Sequence, residues 1–307
     1  MFRGHIYMLI ATLMWGMMAP IGKDAMLHGI SGLGMVGIRA CGGALLFWLA
    51  SVVTPQKEEH TVRLGRKELL ALFGASLFAM VFNQCGFIIG LSITSPLNAS
   101  IMTTIMPIIT MGLAVLILNE RVTKRKLCGL MLGCLGALTL ITASAGGRKE
   151  GGVLLGDLLC IGGQFSYAFY LTNFKDVISR HSAVTCQKWM MLFAAIVVMP
   201  FALPSLMKVD WAGLSPVTYA ETAFVVVGGT FMSFLCCTKA QQILRPTVVA
   251  MYNYVQPIVA CTLSVIMGLG IFGYSHLLAV ALVFTGVYLV NHSKTSPQPS
   301  TKERERR

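Results

Sequence analysis

The side chains of this sequence that could bind a small molecule are amides and phenols inside long apolar segments. In the ninth such segment Tyr252 and Gln256 lie four residues apart, so a regular helix places them on one face. Asn253 lies beside them, and Pro257 follows and loosens the helical backbone. We therefore expect a cavity that orients a polar metabolite such as a zwitterion. Further candidates for lining this cavity are Trp15, Asn83, Gln84, Asn98, Gln164 and Tyr167.

Each of these side chains also has a structural role that fits the sequence. Amides in membrane bundles commonly hydrogen-bond from one helix to the next. Trp15 lies about 15 Å along its segment, which is too deep for the aromatic belt at the membrane surface. The indole is therefore expected either to line a cavity or to pack between helices.

Arg39 is the most deeply placed cation, about 12 Å from the outer end of its apolar segment. A cation at this depth could attract a carboxylate substrate. It could instead extend towards the membrane surface and bond to carbonyls at a helix end or to Asp24. We expect the second arrangement, and keep Arg39 among the candidate substrate-binding residues.

Chemistry other than binding has little support in the sequence. No His or Asp matches the depth of the Ser and Cys residues in the apolar segments, so a nucleophile with its base is not expected. None of the nine Cys residues belongs to a CxxC pair or has a His at ligand spacing, which argues against a metal site. No glycine-rich phosphate loop follows a strand, so we expect no nucleotide, no cofactor and no enzyme activity. The short loops leave little room for a sensor or assembly subunit.

Composition identifies the solvent of this chain as lipid. Of its 307 residues 55% are hydrophobic and 12% are charged, against roughly 25% charged residues in soluble domains. The mean hydropathy is +0.73. The net charge of +12 comes from short basic clusters between apolar runs, a pattern typical of loops held against anionic lipid and not of nucleic-acid binding.

Ten segments approach the roughly 20 apolar residues that cross a bilayer as a helix. The fold class predicted is an all-α integral membrane protein with ten transmembrane helices. Nineteen of the 24 Lys and Arg residues fall on one side of these spans, which predicts that both termini are cytoplasmic. The predicted spans are 5–25, 31–53, 69–91, 95–118, 126–144, 153–174, 184–206, 217–240, 246–269 and 273–292.

The ten segments form two copies of a five-segment unit. A shift of 150 residues aligns Pro96 with Pro246, and the same shift aligns Pro107 with Pro257. Five is odd, so the second copy must enter the membrane from the opposite side, as in the inverted repeats of secondary transporters. The predicted domains are a first repeat at residues 1–146, a second repeat at 147–293 and a disordered cytoplasmic tail at 294–307.

Several motifs, in this order and spacing, resemble the EamA family of the drug/metabolite transporter superfamily. The resemblance covers about residues 5–292 and implies ten duplicated helices and export or exchange of metabolites at a bacterial inner membrane. The residue aligned with Glu120 in the second half is Gly270, so Glu120 is expected to pair locally with Arg or Lys. The motifs are Trp15-Gly16, Pro20 and Lys23 in the first segment, Arg39 in the second, Ser95-Pro96 and Pro107 in the fourth, and Leu118-Asn119-Glu120-Arg121 at its end.

These observations predict a secondary transporter that works by alternating access, and the family resemblance implies an amino acid or related metabolite as its substrate. Efflux of drugs or lipophilic cations by the same fold is the alternative, which Arg39 and the scarcity of carboxylates disfavour. The acidic side chains fall near predicted helix ends, so exchange or facilitated diffusion fits at least as well as proton antiport. The expected partners are the substrate and the bilayer. Nothing in the sequence supports a homodimer.

Overall fold

The structure is a computed structural model that describes residues 2–53, 64–93, 102–118, 122–144, 154–266 and 274–292. Every regular element in these ranges is helical, which confirms the predicted all-α class. The elements are α1 (Phe2–Leu27), α2 (Gly32–Val53), α3 (Arg66–Ile93), α4 (Met106–Leu118), α5 (Lys124–Ser144), α6 (Leu154–Asn173), a short helix Lys175–Arg180, α7 (Ala183–Leu206), α8 (Pro216–Ile243), α9 (Pro246–Met251, a 3-10 turn Tyr252–Tyr254, and Val255–Ile266) and α10 (Tyr274–Asn291).

Six of the described helices are long and apolar enough to cross a membrane, namely α1, α2, α3, α6, α7 and α8. Met106–Ile117 and Ala281–Val290 are shorter apolar helices. The chain is therefore a multi-pass helical membrane protein. Glu120, Gly270, the predicted repeat boundary at 146 and the tail 294–307 lie outside the described residues.

Local sequence explains where the long helices begin. The Ser182 side chain accepts a hydrogen bond from the backbone N–H of Thr185 at 3.1 Å and caps α7. Ser215 caps α8 in the same way through Thr218, and Pro216 occupies the first helical position, where its missing N–H costs nothing. Beyond these first residues, each helix continues as long as the sequence stays apolar, because backbone groups in lipid must be paired within the helix.

Two π-helical turns interrupt α3 and α8 at positions 150 residues apart, at Leu77–Phe82 and Val227–Met232. A π turn widens the helix and disturbs the ladder of backbone hydrogen bonds, so side chains can bond to its carbonyl groups. In α3 the Ser166 hydroxyl donates to the Phe78 carbonyl at 2.7 Å. The sequence did not predict either turn.

The helices pack in pairs that correspond between the two halves of the chain. α2 packs against α7, and α5 packs against α10. α1 contacts α8 and α9, while α6 contacts α3 and α4. Each of these named contacts therefore has a counterpart when the first five helices are exchanged with the last five.

The crossing of α3 and α6 depends on two glycines. A Cβ atom added to Gly86 would lie 2.8 Å from the Leu159 carbonyl oxygen and 3.1 Å from the Gly163 Cα atom. The two backbones approach so closely that a side chain at either position would push them apart. This crossing holds in place the polar residues beside it, which are Asn83 and Gln84 on α3 and Gln164 on α6.

Candidate functional site

A cavity with a volume of about 70 Å³ opens where α1, α3, α6, α8 and α9 meet. Seven of the ten side chains predicted to bind substrate line it. Residues from distant parts of the chain thus share one space inside the bundle. The lining residues are Trp15, Met18, Ala19, Asn83, Gln84, Phe87, Thr103, Gln164, Tyr167, Phe234, Asn253 and Gln256.

Two pairs of amides supply much of the polar lining. The Asn83 side-chain amide donates to the Gly163 carbonyl at 2.9 Å, and Gln84 donates to the Asn83 side-chain oxygen at 3.1 Å. In α9, Gln256 donates to the Asn253 side-chain oxygen at 3.0 Å. Both asparagines are buried, whereas both glutamines are half-buried. The asparagines therefore anchor the pairs, and the glutamines are the more accessible amides.

Aromatic rings form another part of the wall. Trp15 packs edge-on against Tyr167, with ring centroids 6.2 Å apart, and against Phe234 at 5.5 Å. The Tyr167 hydroxyl lies 3.2 Å from the Cys237 Sγ atom. Trp15 thus combines the two roles that the sequence left open, because it borders the cavity and packs between helices.

Tyr252 does not line this cavity. It lies in the 3-10 turn of α9, and its hydroxyl is 2.8 Å from the Nδ1 atom of His5. A 3-10 turn has about three residues per turn in place of 3.6, so Tyr252 and Gln256 do not share a face as a regular helix predicts. Asn98, another predicted cavity residue, lies outside the described residues.

Substituting Tyr252→Phe is expected to leave substrate affinity within about twofold and to lower stability by roughly 1 kcal/mol, because one hydrogen bond to His5 is lost. Thermal unfolding in detergent and the KM for transport measure the two effects. His5→Ala should cost a similar amount, and the double variant less than the sum of both. A large rise in KM with unchanged stability would instead place the phenol at the substrate.

Arg39 is buried in the bundle and does not extend to Asp24, so the expected outward arrangement is wrong. Its Nε atom donates to the Thr230 hydroxyl at 2.9 Å, and Nη2 donates to the Gly229 carbonyl at 3.3 Å. Both acceptors belong to the π turn of α8, which offers bonding groups within the membrane. Asp24 pairs with His28 at 3.2 Å near the end of α1.

Comparison with known proteins shows which family the chain represents. A sequence model of the EamA-like transporter family matches residues 2–142 and again 154–292. The chain belongs to the EamA-like transporter family. A Bacillus subtilis protein named as the uncharacterized transporter YetK is 22% identical over 267 residues, which cover 85% of this chain and 81% of that protein.

A Salmonella typhimurium protein named as a probable amino-acid metabolite efflux pump is 27% identical over 200 residues, which cover 65% of this chain and 62% of that protein. A protein of known crystal structure superposes with a TM-score of 0.73 at 14% identity, covering 93% of this chain and 95% of that one. This EamA-like transporter and that protein therefore share a fold.

Sequence reasoning missed several cavity residues of this EamA-like transporter. They are apolar, or carry a single hydroxyl, and such side chains suit lipid, a helix interface or a cavity wall equally well. No signal in the sequence separates these environments, because only the rotation of each helix decides which one a side chain meets. The missed residues are Met18, Ala19, Phe87, Thr103 and Phe234.

Proposed function

We propose that this EamA-like transporter is a secondary transporter that moves an amino acid or related small metabolite across the bacterial inner membrane. The observation that carries the proposal is the cavity among five helices, lined by neutral amides and aromatic rings. Amides can donate to a carboxylate and accept from an ammonium group, and aromatic faces cover an apolar side chain. Such a lining suits a zwitterion that must bind and leave again.

We further propose ten transmembrane helices in two inverted five-helix repeats, 1–146 and 147–293, with cytoplasmic termini. The family model matches the chain twice, at residues 2–142 and 154–292. The π turns 150 residues apart and the paired helix contacts support the same duplication. Two halves of this kind can exchange their shapes about a central site, which is a basis for alternating access.

An amino-acid substrate is favoured by the name of the Salmonella typhimurium relative, a probable amino-acid metabolite efflux pump. The alternative, efflux of drugs or lipophilic cations, has less support, since none of the described lining residues is Asp or Glu. None is His either, so the described wall of the cavity offers no ordinary proton carrier. We therefore favour export or exchange in which the cavity wall carries no proton.

The test is flux in proteoliposomes of the purified full chain without ATP. Vesicles are preloaded with single unlabelled amino acids, and uptake of the same labelled amino acid by counterflow is measured against protein-free vesicles. Tetraphenylphosphonium is the probe for the alternative. We expect counterflow for at least one amino acid. Flux of the cation alone would support the alternative, and no flux of any compound would refute the proposal.

A further inference from the structure

The guanidinium of Arg39 is a buried charge with incomplete pairing. Its side chain is 3% exposed, and both of its acceptors, the Thr230 hydroxyl and the Gly229 carbonyl, are neutral. Its Nη1 atom has no hydrogen-bond partner within the described part of the chain. Among these residues no carboxylate lies within ion-pair distance of the Arg39 guanidinium. A buried cation of this kind is costly unless an anion approaches it.

The surroundings of Arg39 connect it to the central cavity. It lines one small pocket that shares Gln84 and Phe234 with the cavity, and a second that shares Met18 and Phe87. Among the described residues that line these three spaces, Arg39 is the one charged side chain. Arg39 therefore lies beside spaces that adjoin the cavity and not on the lipid-facing surface.

We propose that Arg39 is the carboxylate subsite of this transporter. The substrate carboxylate binds the guanidinium, while the remainder of the molecule lies among the amides and next to Trp15. A guanidinium presents donors in a planar fork that matches the two oxygens of a carboxylate, which an ammonium group does not. Gln84 borders both spaces and is half-buried, so rotation of its side chain joins them.

This inference rests on the proposed function, since it requires that the cavity carries the substrate. It narrows the substrate class to compounds with a free carboxylate and a polar or zwitterionic remainder. Carboxamides of the same compounds and lipophilic cations are expected to move more slowly, because each leaves the buried cation without an anion.

The experiment compares acids with their amides on the unmodified full chain in proteoliposomes. The probes are L-leucine, L-phenylalanine and L-threonine, each with its carboxamide, and flux is measured for all six. We expect each transported acid to move about tenfold or more faster than its amide. The amide has no carboxylate to accept charge-assisted hydrogen bonds from Arg39. Equal rates for acid and amide would overturn the inference while leaving the proposed function intact. No flux of any acid, amide or tetraphenylphosphonium would overturn both.

Variants of Arg39 test the assignment to this side chain. Arg39→Gln is expected to lower acid flux about tenfold or more and to leave amide flux within about twofold. Arg39→Lys keeps the charge without the fork and should restore acid flux in part. Lys208→Gln, which alters an exposed cation, is the matched control and should transport as the unmodified protein does. An equal loss for acid and amide in Arg39→Gln would show a structural role and overturn the inference.

Discussion

Gly86→Leu is expected to prevent α3 from packing against α6 and to abolish the folded transporter. A Cβ atom at this position lies 2.8 Å from the Leu159 carbonyl oxygen and 3.1 Å from the Gly163 Cα atom. Both neighbours are backbone atoms that cannot rotate aside, so the helices must separate. Overpacking of this kind costs about 3 kcal/mol or more for a side chain of this size.

Gly162→Leu is the matched control for that variant, because it adds the same side chain to α6 one residue from the crossing. A Cβ atom on Gly162 meets no other atom within 4 Å, and the residue is exposed. Size-exclusion chromatography in detergent after stepwise heating measures the temperature at which each variant aggregates. We expect the control to follow the unmodified protein and Gly86→Leu to aggregate at low temperature. Equal stability of the two variants would contradict the described crossing.

A Gly86→Leu protein that still folds should also lose its substrate site. Asn83 lies on the same helix and donates across the crossing to the Gly163 carbonyl. Separation of the helices breaks that hydrogen bond and moves Gln84 and Gln164 apart. Residual folded protein is therefore expected to show a raised KM for transport as well as reduced yield.

Ala19→Phe is expected to reduce transport to the background level without unfolding the protein. Ala19 borders both the central cavity and the small pocket that Met18, Phe87 and Arg39 also line. A benzyl ring at this position occupies the space that the substrate needs, and it replaces a small half-buried side chain that faces open volume. Acids and amides should be affected alike, which distinguishes blockage from loss of the carboxylate subsite at Arg39.

Counterflow in proteoliposomes and a melting curve in detergent together measure the effect of Ala19→Phe. Ala281→Phe, on an exposed position of α10, makes the same chemical change away from the cavity. This control should transport at the unmodified rate. Normal transport by Ala19→Phe with an unchanged melting temperature would show that the cavity is not the route of the substrate.

The extent of the long helices could be predicted closely from the sequence. The predicted span 184–206 matches α7 at Ala183–Leu206, and 31–53 matches α2 at Gly32–Val53. Hydrophobic length and capping residues such as Ser182 act locally, so a short stretch of sequence contains the information. The π turns were not predictable, because the sequences Leu77–Phe82 and Val227–Met232 share no motif.

Polar lining residues could be predicted because of the cost of placing them in lipid. Asn83, Gln164 and Asn253 must face the interior of the bundle, and all three line the cavity. Apolar lining residues such as Ala19 and Phe234 escaped prediction, since lipid would accept them equally well. The free-energy cost of placing a polar group in lipid therefore identifies the polar residues of a membrane site but not its apolar residues.

Composition and hydropathy alone indicate that the chain lies in a membrane, that it is helical, and which few polar side chains must face the interior of the bundle. The partner of each of those side chains depends on how the helices pack. Arg39 bonds to Thr230, 191 residues away, because the π turn of α8 brings a hydroxyl and a carbonyl to it. Tyr252 turns to His5 because one tight turn changes the register of α9. Helix rotation and contacts between distant segments set these partners, and neither is encoded in local spacing.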